Sequence, residues 1–307
     1  MIRGSIFLVL PALFRRSPEG NLLVEKQAAN GLECWADNFQ YVVIAAPVYE
    51  SEDTSSSVTT VEYVDLSSLY CRFRLEFISL PQVYRTIGFL RFYRSTQQLL
   101  ANKIKTSEYL SFAIGGLVGD WASVAALEAI RQKRPFSIWT DRVEHQVVRN
   151  FHHDHQGFKK FYYFLKVHLW VSPLMQQLER HVIRNCQLGL FHGFDCLNAY
   201  SPYCSNPHLV HDVHLKPSDC ISQDQLTQKL DRLRRKDKLK ILYVGRATSM
   251  KGPFDWIEVM AKLRCRDIAF EATWVGDGPL LSDMRERVAQ LHPTFRRLTG
   301  KKRCGVF

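Results

Sequence analysis

Residues 240–244 read KILYV, residues 245–253 GRATSMKGP and residues 270–279 FEATWVGDGP. Ile241, Leu242, Tyr243 and Val244 form a short apolar run closed by Gly245, the pattern of a buried parallel strand. Lys251-Gly252-Pro253 then opens a helix, since proline near the first helical position gives up no hydrogen bond. The design repeats with a strand over Phe270–Val275, a Gly276-Asp277-Gly278-Pro279 turn and a second helix to Leu291. Two strands about 30 residues apart, each feeding a helix through a glycine-containing loop, describe a βαβα unit of a parallel sheet. Ligands of such sheets gather at the carboxyl ends of the strands, and Gly245, Arg246, Lys251, Gly276, Asp277 and Gly278 all fall there.

Working outward, the same alternation fills the preceding residues. Ile6–Leu10 reads as a first strand, Pro11 to Asn21 as a loop, and Leu22, Leu23, Ala28, Ala29, Leu32 and Trp35 as an amphipathic helix. Tyr41–Ala46, Tyr109–Ile114, Phe136–Trp139, Leu188–Phe191 and Leu209–Leu215 read as further strands. Helices are expected around Trp121–Ile130, over Pro173–Cys186 and over Phe194–Tyr203. Val61–Val64 reads as a short strand, and Glu50–Thr60 as a polar loop. A long helix from Pro81 to Ile104 sets Val83, Ile87, Leu90 and Leu100 against Arg85, Arg91, Arg94 and Lys103. It is either an ordinary core-facing helix with a wet back or a basic amphipathic helix on a membrane surface. The fold class is therefore α/β, with two Rossmann-like domains built on parallel sheets. Residues 1–216 are expected as the first domain, 217–238 as a linker with a basic helix, and 239–307 as a partial second domain.

Composition narrows the function classes. Lys+Arg 41 against Asp+Glu 30 gives a net charge of +11, an excess that suits an acidic ligand or an anionic membrane face as well as a solvated surface. No basic run is dense enough, or interleaved with enough aromatics, to indicate nucleic acid. The 8 cysteines include no Cys-x-x-Cys pair, which fits reduced thiols in the cytosol better than a disulfide framework. IFLVLPALF near the amino terminus is followed by Arg15-Arg16 and reads as a buried strand rather than a signal peptide. No apolar run is long enough to span a membrane. A cytoplasmic protein is expected, with peripheral contact at the inner membrane face left open by the basic helices.

Two local patterns invite other chemistry. Gly115-Gly116-x-x-Gly119 follows a strand, but its spacing departs from the GxGxxG of dinucleotide sites, and a tight turn with close helix packing is expected instead. A nicotinamide dehydrogenase would rest on that pattern alone. His152, His153, Asp154 and His155 resemble metal ligands, yet adjacent histidines cannot all face one ion, and no metal site is expected.

VGR at 244–246, KG at 251–252 and VGDGP at 275–279 resemble, in order and spacing, the donor-binding domain of GT-B-fold retaining glycosyltransferases of family 4, the glycosyl transferases group 1. The resemblance implies a nucleotide-sugar donor as substrate, a glycan or lipid-linked acceptor and no separate cofactor. It implies that Arg246 and Lys251 bind the donor diphosphate and that Gly245, Gly276, Asp277 and Gly278 line the donor pocket. Gly20 fits the family's glycine loop after the first strand. Asp141, Glu144 and His145, just beyond a first-domain strand, are the catalytic candidates on the acceptor side. No two aspartates stand two apart, so the Asp-x-Asp metal motif of another class of sugar transferases is absent and a metal-free mechanism is expected. The family's second domain continues for about another 100 residues and carries a Glu-x7-Glu motif. Neither follows here, so a truncated or frameshifted member is expected, its catalysis open; the alternative is a catalytically inactive binding or interaction protein built on the first domain.

Overall fold

The structure, a computed structural model, describes residues 2–12, 14–49, 63–150, 165–211, 220–291 and 305–306. The chain divides into two compact units, passing from the first to the second at residues 214–215. In chain order the first unit holds β1 (Ile2–Val9), β2 (Phe14–Arg16), β3 (Leu22–Glu25), α1 (Lys26–Asn38), β4 (Phe39–Tyr49), β5 (Tyr63–Asp65), β6 (Leu75–Leu80), α2 (Thr86–Thr106) and β7 (Tyr109–Ala113). It continues with α3 (Trp121–Arg131), β8 (Ser137–Thr140), α4 (Glu144–Asn150), α5 (Ser172–Asn185), β9 (Leu188–His192), α6 (Gly193–Tyr200) and β10 (Pro207–Val210).

Seven of these strands run parallel in the order β6-β4-β1-β7-β8-β9-β10, within a ten-stranded sheet that continues from the end of β4 through β2, β3 and β5. The chain builds outward from β1 through β4 to β6, then returns to β1's other side as β7 and builds outward again. The direction of winding reverses between β1 and β7, the place where open α/β sheets leave a crevice at their carboxyl edge. Strand alternation sorts the core into two layers. Phe7, Val9, Val43, Phe112, Ile138 and Phe191 face Leu100 and Ile104 of α2, Val124 and Ala125 of α3, and Val182 and Ile183 of α5. Ile6, Leu8, Val42, Ile44 and Ala46 face Ala29, Leu32 and Ala36 of α1. Both faces are packed with side chains, which is why these strands read as continuous apolar runs rather than alternating ones.

Two segments depart from expectation. Leu22–Glu25 is not the start of a helix but β3, paired antiparallel with β2 through Phe14↔Val24 and with β5 through Val24↔Val64. A turn tied by Ser17 N–H to Asn21 O (2.8 Å), with Gly20 at φ +89°, reverses the chain between β2 and β3. Burial of Val24 on Phe14 outweighs the helical spacing of Leu22 and Leu23, and the helix starts at Lys26. The strand β6 was not expected at all: Glu76 and Ser79 interrupt its apolar residues, and it is extended by its pairing with Val42–Pro47 of β4. Residues 50–60, 152–155 and 212–215, and with them the polar loop, the histidine cluster and the end of the expected Leu209–Leu215 strand, lie outside the described residues.

The second unit carries α7 (Gln223–Arg234), β11 (Leu239–Val244), α8 (Pro253–Cys265), β12 (Phe270–Val275), α9 (Leu281–Leu291) and β13 (Gly305–Val306). β11 and β12 run parallel in unbroken register from Leu239↔Phe270 to Val244↔Val275, and β13 pairs antiparallel with β12. Trp256, Ile257 and Met260 of α8 and Leu281, Met284 and Val288 of α9 close over Ala272 and Trp274. The Tyr243 ring stacks on Trp274 at 4.2 Å, with Trp256 edge-on to it at 5.5 Å. A capping box between Ser222 and Gln225 starts α7. Both units are α/β with sheets that are mainly parallel, as the strand–loop–helix pattern requires, and each also carries antiparallel pairs.

Candidate functional site

At the carboxyl edge of β11 and β12 the two glycine loops are laced together by their backbones. Gly245 N–H donates to Val275 O (2.9 Å), Ala247 N–H to Asp277 O (2.9 Å) and Leu280 N–H to Ala247 O (3.0 Å). A Cβ at Gly276 would lie 2.1 Å from Gly245 O, and one at Gly278 would lie 2.6 Å from Ala247 O, so neither position has room for a side chain. The Asp277 carboxylate folds back on its own loop, accepting from Gly278 N–H at 2.8 Å. Between the laced segments Ala247 is fully buried, while Arg246 beside it is exposed.

Lys251 is placed by a different device. It ends a 3-10 turn over Ser249–Lys251, its N–H donating to Thr248 O at 2.9 Å. Its carbonyl accepts from the Tyr243 hydroxyl at 2.9 Å, so the ring stacked on Trp274 also holds the loop. Gly252 follows in the left-handed region (φ 58°, ψ 46°) and Pro253 begins α8 with no side-chain cap on the helix. Helix-start amides and the positive end of the helix dipole thus stand next to Lys251. Among the described residues, neither Arg246 nor Lys251 has an ion-pair or hydrogen-bond partner for its side chain. Two unengaged cations and a helix start at one strand edge can hold an anion with several oxygens, such as a diphosphate.

The acceptor-side candidates meet different surroundings. Asp141 is exposed just past β8 and lines a cleft of about 540 Å³ together with Trp35, Trp139, His192 and His211. Glu144 is buried and pairs with Arg142 at 2.7 Å; burial pushes its carboxyl above the usual range, while Arg142 pulls it down. His145, only 5% exposed, sits within a polar cluster that ties α4 to α5 and α6. Its Nδ1 lies 2.6 Å from Glu179 Oε2, its backbone N–H donates to Glu179 Oε1 at 3.2 Å, and the Tyr200 hydroxyl donates to Glu179 Oε2 at 2.9 Å. The Gln176 amide nitrogen faces His145 Nε2 at 3.0 Å, which makes Nε2 the acceptor and Nδ1–H the donor to Glu179. Burial raises the Glu179 carboxyl, and burial with the Glu179 charge raises the Tyr200 phenol. Both ring nitrogens of His145 are therefore engaged inside the protein.

Gly20 stands at the tip of the β2–β3 hairpin, with nothing within 4 Å of the Cβ position. The loop after β1 that lines the cleft is instead Leu10-Pro11-Ala12. In the glycine segment after β7, the Asp120 carboxylate accepts from Ala122 N–H (3.0 Å), Gly115 N–H (3.2 Å) and the Ser123 hydroxyl. A carboxylate already occupies the start of α3, where it competes with any phosphate for the helix-start amides. Gly119 is packed so closely that a Cβ would lie 2.1 Å from Val83 O. The glycine thus serves a tight turn at φ +86° packed on the backbone of the loop that precedes α2.

No protein-family model matches the chain, and no curated protein matches its sequence. Solved structures similar in chain path include a UDP-forming α,α-trehalose-phosphate synthase from Burkholderia vietnamiensis, at TM-score 0.44 and 9% identity over 93% of this chain and 68% of that one. S. aureus MnaA bound to UDP is similar at TM-score 0.40 and 10% identity over 95% of this chain and 66% of that one. A UDP-glucosyltransferase from Polygonum tinctorium is similar at TM-score 0.35 and 13% identity over 80% of this chain and 60% of that one. The chain spans between 60% and 68% of the length of these three.

Proposed function

We propose that this chain binds a nucleotide sugar at the carboxyl edge of β11 and β12. We further propose that it is a GT-B-fold transferase of the family 4 type, moving a sugar to a glycan or lipid-linked acceptor with retention and without a metal. The observation that carries the reading is the pairing of Arg246 and Lys251, both unengaged, beside two glycine loops that admit no side chain. When the bond between sugar and diphosphate breaks, negative charge grows on the departing diphosphate. Cations and helix-start amides fixed at that point stabilise the transition state more than the bound donor, which is what accelerates the step. Arg246 supplies a forked donor and Lys251 a point charge, and α8 adds its dipole. On the acceptor side, Asp141 is the candidate that faces an open cleft, and the Trp35 and Trp139 rings beside it suit the apolar face of a sugar or lipid-linked head.

A panel of UDP- and GDP-sugars incubated with the protein and glycan or lipid-linked acceptors tests transfer through release of the nucleoside diphosphate. Release that falls at least tenfold in Arg246→Ala and Lys251→Ala supports the reading; release unaffected by both contradicts it. The engagement of both His145 nitrogens favours a second reading, a nucleotide-sugar binding protein without turnover. Binding of the diphosphate with no release from any sugar donor would select it.

A further inference from the structure

The helix α2 is longer than the strands it covers: its 21 residues reach about 31 Å at 1.5 Å each, while the six residues of β6 span about 20 Å. It follows β6 and leads into β7, so its first turns project at the carboxyl edge of the sheet. Its inward face is satisfied. Phe89 packs on Trp121 with ring centroids 4.8 Å apart, and Thr96, Leu100 and Ile104 are buried below. The opposite face is occupied by Ile87, Leu90, Arg91 and Arg94, the i, i+3, i+4, i+7 stripe of one helix side. Ile87 is 85% exposed and Leu90 65% exposed, on the side turned away from the core. Isolated exposed leucines need no explanation, but two aliphatics on the outer stripe with arginines on the same stripe form a pattern.

Charge says what this face fits. Between Glu76 and Glu108 the chain has no Asp or Glu, while Arg85, Arg91, Arg94, Lys103 and Lys105 fall in that stretch. Lys103 is taken up by Glu76, which leaves the excess at the exposed first half of the helix. Arg91 lies over the Phe92 ring at 5.7 Å, keeping its charged end beside apolar surface. Leu169, Trp170 and Leu174 are also exposed at the start of the helical segment that leads into β9, with Lys166 a turn before them. That segment also begins at the carboxyl edge.

We propose that the outer face of the first half of α2 is a docking surface for an anionic lipid bilayer, with Ile87 and Leu90 entering the acyl boundary and Arg85, Arg91 and Arg94 contacting headgroup phosphates. Apolar residues flanked by arginines, on a helix whose own sequence holds no carboxylate, are what an interfacial helix presents. Attraction to an anionic leaflet adds with each basic residue near the surface. The proposal does not rest on sugar transfer, and its test reads no activity.

Cosedimentation of the full chain with phosphatidylcholine vesicles, and with vesicles also carrying phosphatidylserine, tests it. Binding is expected only to the anionic vesicles and is expected to weaken as salt is raised. Ile87→Asp/Leu90→Asp should lower vesicle affinity at least tenfold with unchanged thermal unfolding, since both side chains lie outside the core. Arg91→Ala/Arg94→Ala should lower it about tenfold and flatten the salt dependence. Absence of binding to anionic vesicles, or binding that survives both variants, overturns the proposal. So does a wild-type dimer that Ile87→Asp/Leu90→Asp converts to monomer without any vesicle binding, because the face would then join two copies of the chain.

Discussion

Gly276 and Gly278 each stand where the neighbouring loop's carbonyl oxygens fill the space of a side chain. Gly276→Ala should therefore push the two loops apart, costing about 1–3 kcal/mol as an overpacking change and lowering nucleoside diphosphate affinity. Chemical denaturation and calorimetry would show both; an alanine accommodated without either loss would mean the laced loops are not needed. In the other unit, Glu179 has its carboxyl raised chiefly by burial, with His145 and Tyr200 opposing the shift. The folded state then holds its proton more tightly than the unfolded state, and stability falls as pH rises from the ordinary carboxylate value through the raised one. Glu179→Gln removes this titration, so its melting temperature relative to wild type should improve as pH rises through that window. A difference independent of pH would refute the assignment. At this scale the sequence was informative only where neighbours in space are neighbours in the chain. The position of Arg246, Lys251, Gly245, Gly276 and Gly278 in two short loops at the carboxyl edge of β11 and β12 was legible. The engagement of His145 was not, because Glu179 is 34 residues away and one turn of α5 had to be placed first.

Elements were legible where one residue run could satisfy itself and not where a partner strand decided. β11, β12, α8 and α9 follow their apolar spacing and their glycine and proline punctuation closely. β3 and β6 do not: one is extended by pairing with β2 and β5, the other by pairing with β4, and neither pairing leaves a local mark. The loop between β11 and α8 shows how an element can position a charge, since the Tyr243 hydroxyl anchors Lys251 O at 2.9 Å. Tyr243→Phe keeps the stack on Trp274 and removes only that hydrogen bond. It should cost about 1 kcal/mol of stability and weaken diphosphate binding severalfold. If affinity is unchanged while stability falls, the hydroxyl steadies the loop without placing the lysine. Leu100→Ala in α2, a fully buried position, should cost about 2–5 kcal/mol by denaturant titration and mark the helix's inner face as core. Little or no loss would put that face outside the core and remove the contrast with Ile87 and Leu90 on which the membrane surface rests.

At the scale of the whole molecule, the first unit has two hydrophobic clusters, one on each face of its sheet, and the second unit has one, around Trp256 and Trp274, which is the smallest of the three. A ligand that binds the folded second unit should stabilise that unit in proportion to the logarithm of its concentration. Scanning calorimetry should accordingly show two transitions, with UDP or GDP raising only one. Among the described residues no helix is long and apolar enough to cross a membrane, so any lipid contact falls to exposed faces such as that of α2. The central claim is that Arg246 and Lys251 form a diphosphate grip. Isothermal titration of the purified chain with UDP and with GDP, repeated on Arg246→Ala/Lys251→Ala, tests it most directly. Saturable binding of at least one nucleotide, weakened at least tenfold in the double variant with unfolding unchanged, is the predicted result. Absence of binding to both nucleotides, or binding indifferent to the two substitutions, would contradict it.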